Sequence, residues 1–225
     1  MPLQNRVTPF GEIVAVPEQG TLMGNRGILH DDAGHIVRSY QVRRWIACRT
    51  AFRGRHRHLL QPHSYTELFF LDEATAFAAG HRPCAECRYA DYQRFKVAWA
   101  VAVGAPNGAD EMDAVLHADR LEGRGAHQYK RTYWEQLTSL PEGAFIRLDG
   151  SAWLLWGEQL LEWSAGGYRA KRSLLPATSR VEVLTPRSLV AVLRAGYQLE
   201  VHPSTGEAVG STTVGVQATT QEDTH

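Results

Sequence analysis

The stretch Cys84-Ala85-Glu86-Cys87 places two thiols three positions apart, and no other feature constrains the chain as much. Two thiolates at this spacing can bind one tetrahedral metal ion, because the intervening turn directs both sulfur atoms inward. The alternatives are a redox dithiol and two incidental cysteines. A redox pair is typical at the start of a helix in a strand–helix–strand unit, whereas this pair follows an expected helix, a glycine and a proline. The spacing therefore favours a metal site, with zinc as the ion.

Cys48 is the only other cysteine, and three cysteines do not form a disulfide framework. The sequence around Cys48 is typical of a strand, so Cys48 is either a third metal ligand or a small buried thiol. A structural zinc site has four ligands, and the expected fourth is His81, with His58 or His63 as alternatives. The remaining alternative is three protein ligands and an open position, as in catalytic zinc sites.

The run from Ala74 to Cys87 resembles the zinc-binding N-terminal domain of the Ada family of methylphosphotriester repair proteins. In that family a strand leads into a short helix, followed by Ala-Ala-Gly and then by Arg-Pro-Cys-x-x-Cys, and the order here is the same. The stretch Ile46-Ala47-Cys48 is similar to the one that carries the first zinc cysteine of the family. The resemblance spans residues 45–95 and implies a zinc site in a nucleic-acid context, with DNA repair or damage response as the process.

By position, Cys48 corresponds to the methyl-accepting cysteine of the Ada family. Phe52 stands where the family has its second cysteine, so the ligand set implied for this chain differs from the family's. The layout of the whole chain also resembles a bacterial family without an assigned activity, and that resemblance implies no reaction.

Arginines are concentrated around Cys48, and the segment from Arg38 to His58 contains no acidic residue. Such clusters bind phosphate backbones, and interleaved aromatic residues can stack on bases. The alternatives are ion pairs with the acids of residues 110–122 and the binding of another anion. A formal net charge of zero argues against strong nonspecific binding of nucleic acid. The expected nucleic-acid contacts are Arg43, Arg44, Arg49, Arg53, Arg55, Arg57 and Arg82.

A polar run after residue 110 offers a candidate acid–base centre made of His117, Asp119 and His127. Asp113 stands four residues before His117 on an expected helix, so its carboxylate could orient the imidazole. A solvated helix end followed by a glycine-rich loop is the alternative. The sequence contains no phosphate-binding loop, dinucleotide fingerprint, serine-hydrolase motif or His-Glu-x-x-His motif, so those reaction classes have no support.

The periodicity of apolar residues predicts an α+β protein. Five helices are expected. The first starts at residue 73, the next three span 89–103, 110–121 and 128–140, and Thr185 caps the last. The expected strands form an antiparallel meander over 144–148, 152–156 and 159–163, followed by a strand at 181–184. We expect three regions: a zinc-binding region at 1–140, a β-rich region at 141–203, and a disordered tail at 204–225.

No apolar stretch is long enough to cross a bilayer, and no secretory signal precedes the first strand, so the expected location is cytoplasmic, without a membrane partner. Three classes of function remain. The first is a zinc protein that binds nucleic acid. The second is a zinc-dependent hydrolase or nuclease with an open metal site. The third is a protein-interaction module whose zinc is purely structural.

Overall fold

A computed structural model describes residues 1–54, 58–105, 108–123 and 127–207. Within these ranges the chain combines helices with two six-stranded sheets and a short two-stranded ribbon, so the predicted α+β class is confirmed. No helix in the described residues is long and apolar enough to cross a membrane.

The first sheet is built from short strands of the N-terminal half. They are β1 (Gln4–Val7), β2 (Ile13–Ala15), β3 (Leu22–Asn25), β4 (Ile46–Arg49), β5 (Leu68–Phe70) and β6 (Arg82–Pro83). Their order in the sheet is β2-β1-β5-β3-β4-β6. Strand β4 pairs antiparallel with β3 and parallel with β6. The parallel pairing places Cys48 beside the chain that leaves β6 toward the cysteine pair.

The helices pack between the sheets and around each other. They are α1 (Glu73–Ala78), α2 (Tyr89–Ala102), α3 (Ala109–Arg120), α4 (Arg187–Arg194) and α5 (Ser204–Glu207). Every residue of α1 is buried. Phe77 packs with α2, α3 and α4, Ala74 packs against the second sheet, and Ala76 packs against the first. The apolar sequence of α1 therefore serves three cores at once.

Asp72 caps α1 as its sequence position predicts, because its Oδ1 accepts a hydrogen bond from the Thr75 backbone N–H at 2.8 Å. The predicted helix over 89–103 is confirmed as α2, and Phe95 and Trp99 from its apolar stripe are buried. The predicted helix over 110–121 is confirmed as α3.

The second sheet contains the predicted meander. Its strands are β9 (Tyr133–Gln136), β10 (Phe145–Leu148), β11 (Ser151–Trp156), β12 (Gln159–Ser164), β13 (Gly167–Ser173) and β14 (Arg180–Val183). The order is β13-β12-β11-β10-β14-β9, with every pairing antiparallel. Asp149 and Gly150 join β10 to β11, both with positive φ (51° and 80°), as a tight hairpin turn requires. The ribbon pairs β7 (Leu121–Glu122) with β8 (Tyr129–Lys130).

The helix predicted over 128–140 is wrong. This stretch forms β8, β9 and a single 3-10 turn, Leu137–Ser139. Tyr133 and Trp134 have high strand propensity, and β9 gains a full ladder by pairing with β14. The pairing partner lies some fifty residues away in sequence, so the local pattern alone could not reveal it.

Thr185 was predicted to cap the last helix, and this is also wrong. Its Oγ1 instead accepts a hydrogen bond from the Phe145 backbone N–H at 2.9 Å, which ties α4 to β10. Pro186 occupies the cap position of α4. The Ser188 N–H is satisfied by Asp119 Oδ2 at 2.9 Å, so a side chain from α3 supplies the missing acceptor.

The regions expected at 1–140 and 141–203 share the second sheet and buried contacts. Strand β9 precedes residue 141 but belongs to the second sheet. Glu73 accepts hydrogen bonds from the Tyr197 hydroxyl at 2.8 Å and from the Glu200 N–H at 2.9 Å. Asp72 accepts one from the Tyr168 hydroxyl at 2.8 Å. These bonds join the start of α1 to the C-terminal half.

The tail predicted to be disordered from residue 204 begins with an ordered turn. Ser204 Oγ accepts a hydrogen bond from the Tyr168 N–H at 2.9 Å, which holds α5 against β13. The prediction is therefore wrong for 204–207. Its remainder, 208–225, lies outside the described residues.

Candidate metal centre

The three cysteines meet at one end of the first sheet. Their sulfur atoms lie within 4.8 Å of one another, although Cys48 is far from the other two in sequence. Cys48 is on β4, and the Cys84 N–H donates to the Ala47 carbonyl at 2.9 Å as the β4–β6 pairing continues. Cys87 lies next to Arg88, the residue at the N-cap of α2. A tetrahedral zinc with bonds of about 2.3 Å needs sulfur–sulfur separations of about 3.8 Å, so this donor set fits one metal ion.

Hydrogen bonds around the sulfur atoms favour thiolates. The Glu86 N–H donates to Cys84 Sγ and the Arg49 N–H donates to Cys87 Sγ, both at 3.4 Å. The thiols of Cys48 and Cys87 lower the pKa of Cys84 by donating to its sulfur, and the same contact with Cys84 raises the pKa of Cys48. Three thiols that share protons in this way release them when a metal ion takes their place, so metal affinity depends on pH.

The sulfur atoms line one wall of a cleft of about 240 Å³, which we call the metal cleft. Its other walls are mixed in character, with apolar contributions from Met23 and Phe69 and polar ones from Asn25 and Glu67. Cys48 and Cys84 are nearly buried and Cys87 is half-buried. The donor set is thus shielded from bulk water on the protein side and faces a cleft on the other.

None of the histidines predicted as a fourth ligand joins the cysteines. Among the described residues, no His, Asp or Glu has a ligand atom within the 4.8 Å group. His58 and His63 are exposed. His81 is fully buried, packs against the rings of Trp45 and Phe70, and accepts a hydrogen bond from Arg26 Nε at 3.3 Å. Proximity in sequence to Cys84 therefore did not bring His81 to the sulfur atoms.

The predicted nucleic-acid contacts fall into three groups: exposed arginines, arginines outside the described residues, and buried Arg82. Arg43, Arg44, Arg49 and Arg53 are exposed, whereas Arg55 and Arg57 lie outside the described residues. Arg49 and Phe52 line the metal cleft, and the Arg53 guanidinium lies 4.9 Å from the centre of the Phe52 ring. Arg49 and Arg53 therefore lie at the metal cleft, and Arg43 and Arg44 lie shortly before β4 in sequence.

Arg82 cannot contact a ligand on the surface, so its assignment is a correction. Its guanidinium is buried and donates two hydrogen bonds to Asp113, from Nε at 2.8 Å and from Nη2 at 2.7 Å. This bidentate ion pair fastens β6 to α3. It also occupies the carboxylate that was expected to orient His117. Arg49 lies 3.8 Å from Asp91, and within the part of the chain that the structure describes it forms no ion pair with the acids of 110–122.

The candidate acid–base centre is not assembled. His117 packs edge-on against the Tyr40 ring and lies 3.2 Å from Arg120 Nη2, and burial lowers its pKa. Asp119 caps α4 through Ser188. His127 is exposed. These contacts give His117 and Asp119 structural partners and do not bring the three side chains to one point.

A second cleft, of about 530 Å³, lies where the two sheets and the ribbon meet, and we call it the cation cleft. No described residue lines both this cleft and the metal cleft. Arg26, Arg120 and Lys130 line it together with Trp45. Sequence reasoning missed this cluster because its members are spread over a hundred positions and belong to no motif.

The chain matches no family model, no curated protein and no solved structure among those compared with it.

Proposed function

We propose that Cys48, Cys84 and Cys87 hold one zinc ion whose fourth coordination position faces the metal cleft. The observation that carries this proposal is the convergence of three sulfur atoms at the wall of a cleft, without a fourth protein donor among the described residues. Soft thiolate donors select zinc or copper(I) over magnesium and calcium. When bound, zinc keeps the thiolates deprotonated and offers one position to an incoming group.

We further infer that the incoming ligand is nucleic acid. Arg49 and Phe52 lie on the wall of the metal cleft, and Arg53 packs on Phe52, so phosphate and base contacts would be available beside the sulfur atoms. The resemblance to the Ada family supports a role in DNA repair or damage response, with Cys48 at the position of the methyl acceptor. A thiolate held by a metal and hydrogen-bonded by few donors retains nucleophilic character, which suits that role.

Metal analysis of protein purified without added zinc tests the first step. We expect about one zinc per chain in the wild type and a large loss in Cys84→Ser and Cys87→Ser. Replacement by Co²⁺ in the wild type reports thiolate ligation through its charge-transfer absorption. His63→Ala is the matched control, because His63 is exposed and lies apart from the sulfur atoms. A wild type that binds no metal, or a His63→Ala variant that loses it, contradicts the proposed ligand set.

Salt-dependent binding tests the second step. A duplex titrated at several salt concentrations gives a log–log slope of about −0.9 per phosphate contact. We expect Arg49→Ala and Arg53→Ala each to reduce the slope by about one, with metal content unchanged. Arg131→Ala is the control, because Arg131 is exposed and lines neither cleft. A wild type without affinity for single- or double-stranded DNA contradicts the nucleic-acid proposal and leaves the metal proposal standing.

The open fourth position also favours a second candidate, a zinc-dependent hydrolase or nuclease. Turnover separates the two candidates. If Cys48 is the methyl acceptor, each chain reacts once and gains the mass of a methyl group on Cys48. A hydrolase releases product continuously and keeps its mass. Incubation with methylated DNA followed by intact-mass measurement therefore decides between them.

A further inference from the structure

The cation cleft contains three positive groups, and among the described residues none of them forms an ion pair with an acidic side chain. Arg26 and Arg120 are each 1% exposed, and Lys130 is half-buried. Among the described residues, no carboxylate oxygen lies within ion-pair distance of any of the three. Taking a charge out of water without a partner is expensive, and proteins retain such an arrangement where an ion or ligand completes it.

The pKa values of the three cations are lowered, as expected for buried positive groups without ion-pair partners. Burial lowers the pKa of Arg26 to about 9, and burial together with the Arg26 charge lowers that of Arg120 to about 9. Burial, followed by the charges of Arg26 and Arg120, lowers the pKa of Lys130 to about 7. The Arg26 charge thus lowers the pKa of both Arg120 and Lys130, and the Asp113 carboxylate only partly offsets this for Arg120. An anion between the cations would relieve both desolvation and repulsion.

The guanidiniums are held in position by groups that carry no charge. Arg26 Cζ lies 4.1 Å and Arg120 Cζ 3.9 Å from the centre of the Trp45 ring. Arg26 Nη1 donates to the Gly11 carbonyl at 3.0 Å, and Arg120 Nη1 donates to the Gly80 carbonyl at 2.9 Å. These contacts orient the cations and supply no negative charge.

Two guanidinium N–H groups in this cluster have no acceptor. Arg26 Nη2 and Arg120 Nε are buried and lack a hydrogen-bond partner. Buried donors of this kind are rare in folded proteins unless water, an ion or a ligand supplies the acceptor. Both residues line the cation cleft, so an anion in the cleft is the acceptor that this arrangement lacks.

The acids of the cation cleft do not supply the missing charge. Glu182 pairs with Arg147 at 3.4 Å and accepts a hydrogen bond from Thr132 at 2.7 Å. Glu12 is exposed. The cleft therefore has a neutralised pair at Arg147 and Glu182 and an excess of positive charge at Arg26, Arg120 and Lys130.

We propose that the cation cleft binds a small phosphomonoester, with its phosphate group at Arg26, Arg120 and Lys130. A phosphate carries close to two negative charges near neutral pH and offers three oxygens to forked guanidinium donors. A volume of about 530 Å³ leaves room for an organic group as well, within the range of small-molecule sites. Among the described residues, the site shares no lining residue with the metal cleft.

Thermal unfolding of the full chain with inorganic phosphate, ribose 5-phosphate and sulfate tests this proposal. We expect ribose 5-phosphate to raise Tm by about 5 °C or more at roughly one hundred times its Kd, and inorganic phosphate to act more weakly. Arg26→Met and Lys130→Met should each weaken ribose 5-phosphate binding at least about tenfold, as loss of a buried charged contact does. Arg131→Met is the matched control and should bind as the wild type does.

The variants also separate a ligand site from a purely structural cluster. If the cations serve a ligand, Arg26→Met and Lys130→Met without ligand should melt at or above the wild-type Tm, because an unpaired buried charge is gone. Lower Tm with an unchanged response to phosphate overturns the proposal. So does a wild type whose Tm no probe changes, or one that responds equally to sulfate and to ribose 5-phosphate. Binding of a 5′-phosphorylated oligonucleotide without binding of ribose 5-phosphate assigns the phosphate to a strand end and overturns the small-ligand assignment.

Discussion

The metal cleft and the cation cleft solve the problem of buried polar groups in opposite ways. In the metal cleft the three thiols can share protons, with Cys84 as the common acceptor, so the group can remain close to neutral. In the cation cleft the partners of Arg26 and Arg120 are backbone carbonyls, two histidine nitrogens and an aromatic ring, and no acid among the described residues forms an ion pair with either. The first cluster can adapt its own charge, whereas the second depends on an anion from outside.

Of the changes considered, loss of the metal should lower the stability of the fold most. A structural zinc contributes folding free energy directly, on the order of 10 kcal/mol in small metal domains. We therefore expect a strong chelator, or Cys84→Ser, to unfold the first sheet cooperatively, as followed by hydrogen exchange of β4 and β6. The cation cleft lies partly on the same sheet, so ribose 5-phosphate should no longer bind to the chelated protein. Retained exchange protection in chelated protein would mean that the three thiols are stable without metal.

Arg88→Met tests a buried arginine that does have a partner. Arg88 lies 2.9 Å from Glu73, both side chains are fully buried, and its Nε donates to Asp91 at 2.8 Å. Removing one member leaves an uncompensated carboxylate, so we expect a loss of about 3–5 kcal/mol in the free energy of unfolding. Denaturant titration measures it. Arg94→Met is the control, because exposed Arg94 also contacts Asp91 and its loss should cost under about 1 kcal/mol. If Arg88→Met and Arg94→Met lowered the free energy of unfolding equally, the buried ion pair of Arg88 would not stabilise the fold more than an exposed one. The contrast with the unpaired arginines of the cation cleft would then be lost.

The pH dependence of stability measures the cost of the buried Lys130 charge in the cation cleft. Lys130 has a pKa of about 7 in the folded chain, below its ordinary 10.5, with Arg26, Arg120 and His81 as the charged or titratable groups around it. Between these values the unfolded chain binds a proton that the folded chain does not, so stability should rise with pH from about 7 to about 10. Below pH 7 the cost of the buried charge is fully present.

Lys130→Met should remove this contribution, and the difference in Tm between wild type and variant should shrink as pH rises from about 7 to about 10. Arg131→Met controls for the loss of a positive charge on the same stretch of chain. Saturating ribose 5-phosphate should also flatten the wild-type profile, because the anion raises the pKa of Lys130. A wild type and a Lys130→Met variant with parallel profiles would show that Lys130 stays charged without cost.

The smallest expected effect concerns the rim of the metal cleft. Arg53 is exposed and packs on Phe52, so Arg53→Ala should leave stability within about 0.5 kcal/mol. Its effect should appear in the salt dependence of DNA binding and not in Tm. A Tm loss comparable to that of Arg88→Met would place Arg53 among the structural arginines and not at a ligand surface.

Local features of the chain were predictable to the extent that they depend on neighbouring residues. The cysteine pair, the Asp72 cap, the apolar stripe of α2 and the turn at Asp149-Gly150 all follow from spacing within a few positions. The helix predicted over 128–140 failed because β14 supplies its pairing partner from far along the chain. The predicted Thr185 cap was wrong because the Thr185 hydroxyl accepts a hydrogen bond from the Phe145 backbone N–H on β10.

By itself the sequence determined that this is an α+β chain with two thiols at metal-binding spacing, because both properties arise from short-range periodicity. Only the tertiary structure decided which residues complete each cluster. The parallel β4–β6 pairing brings Cys48 to the cysteine pair, whereas His81 packs with Arg26 in the interior. Packing of the sheets and the ribbon gathers Arg26, Arg120 and Lys130. The physical reason is that chain closure over long separations depends on which apolar faces are buried together, and no local pattern encodes that choice.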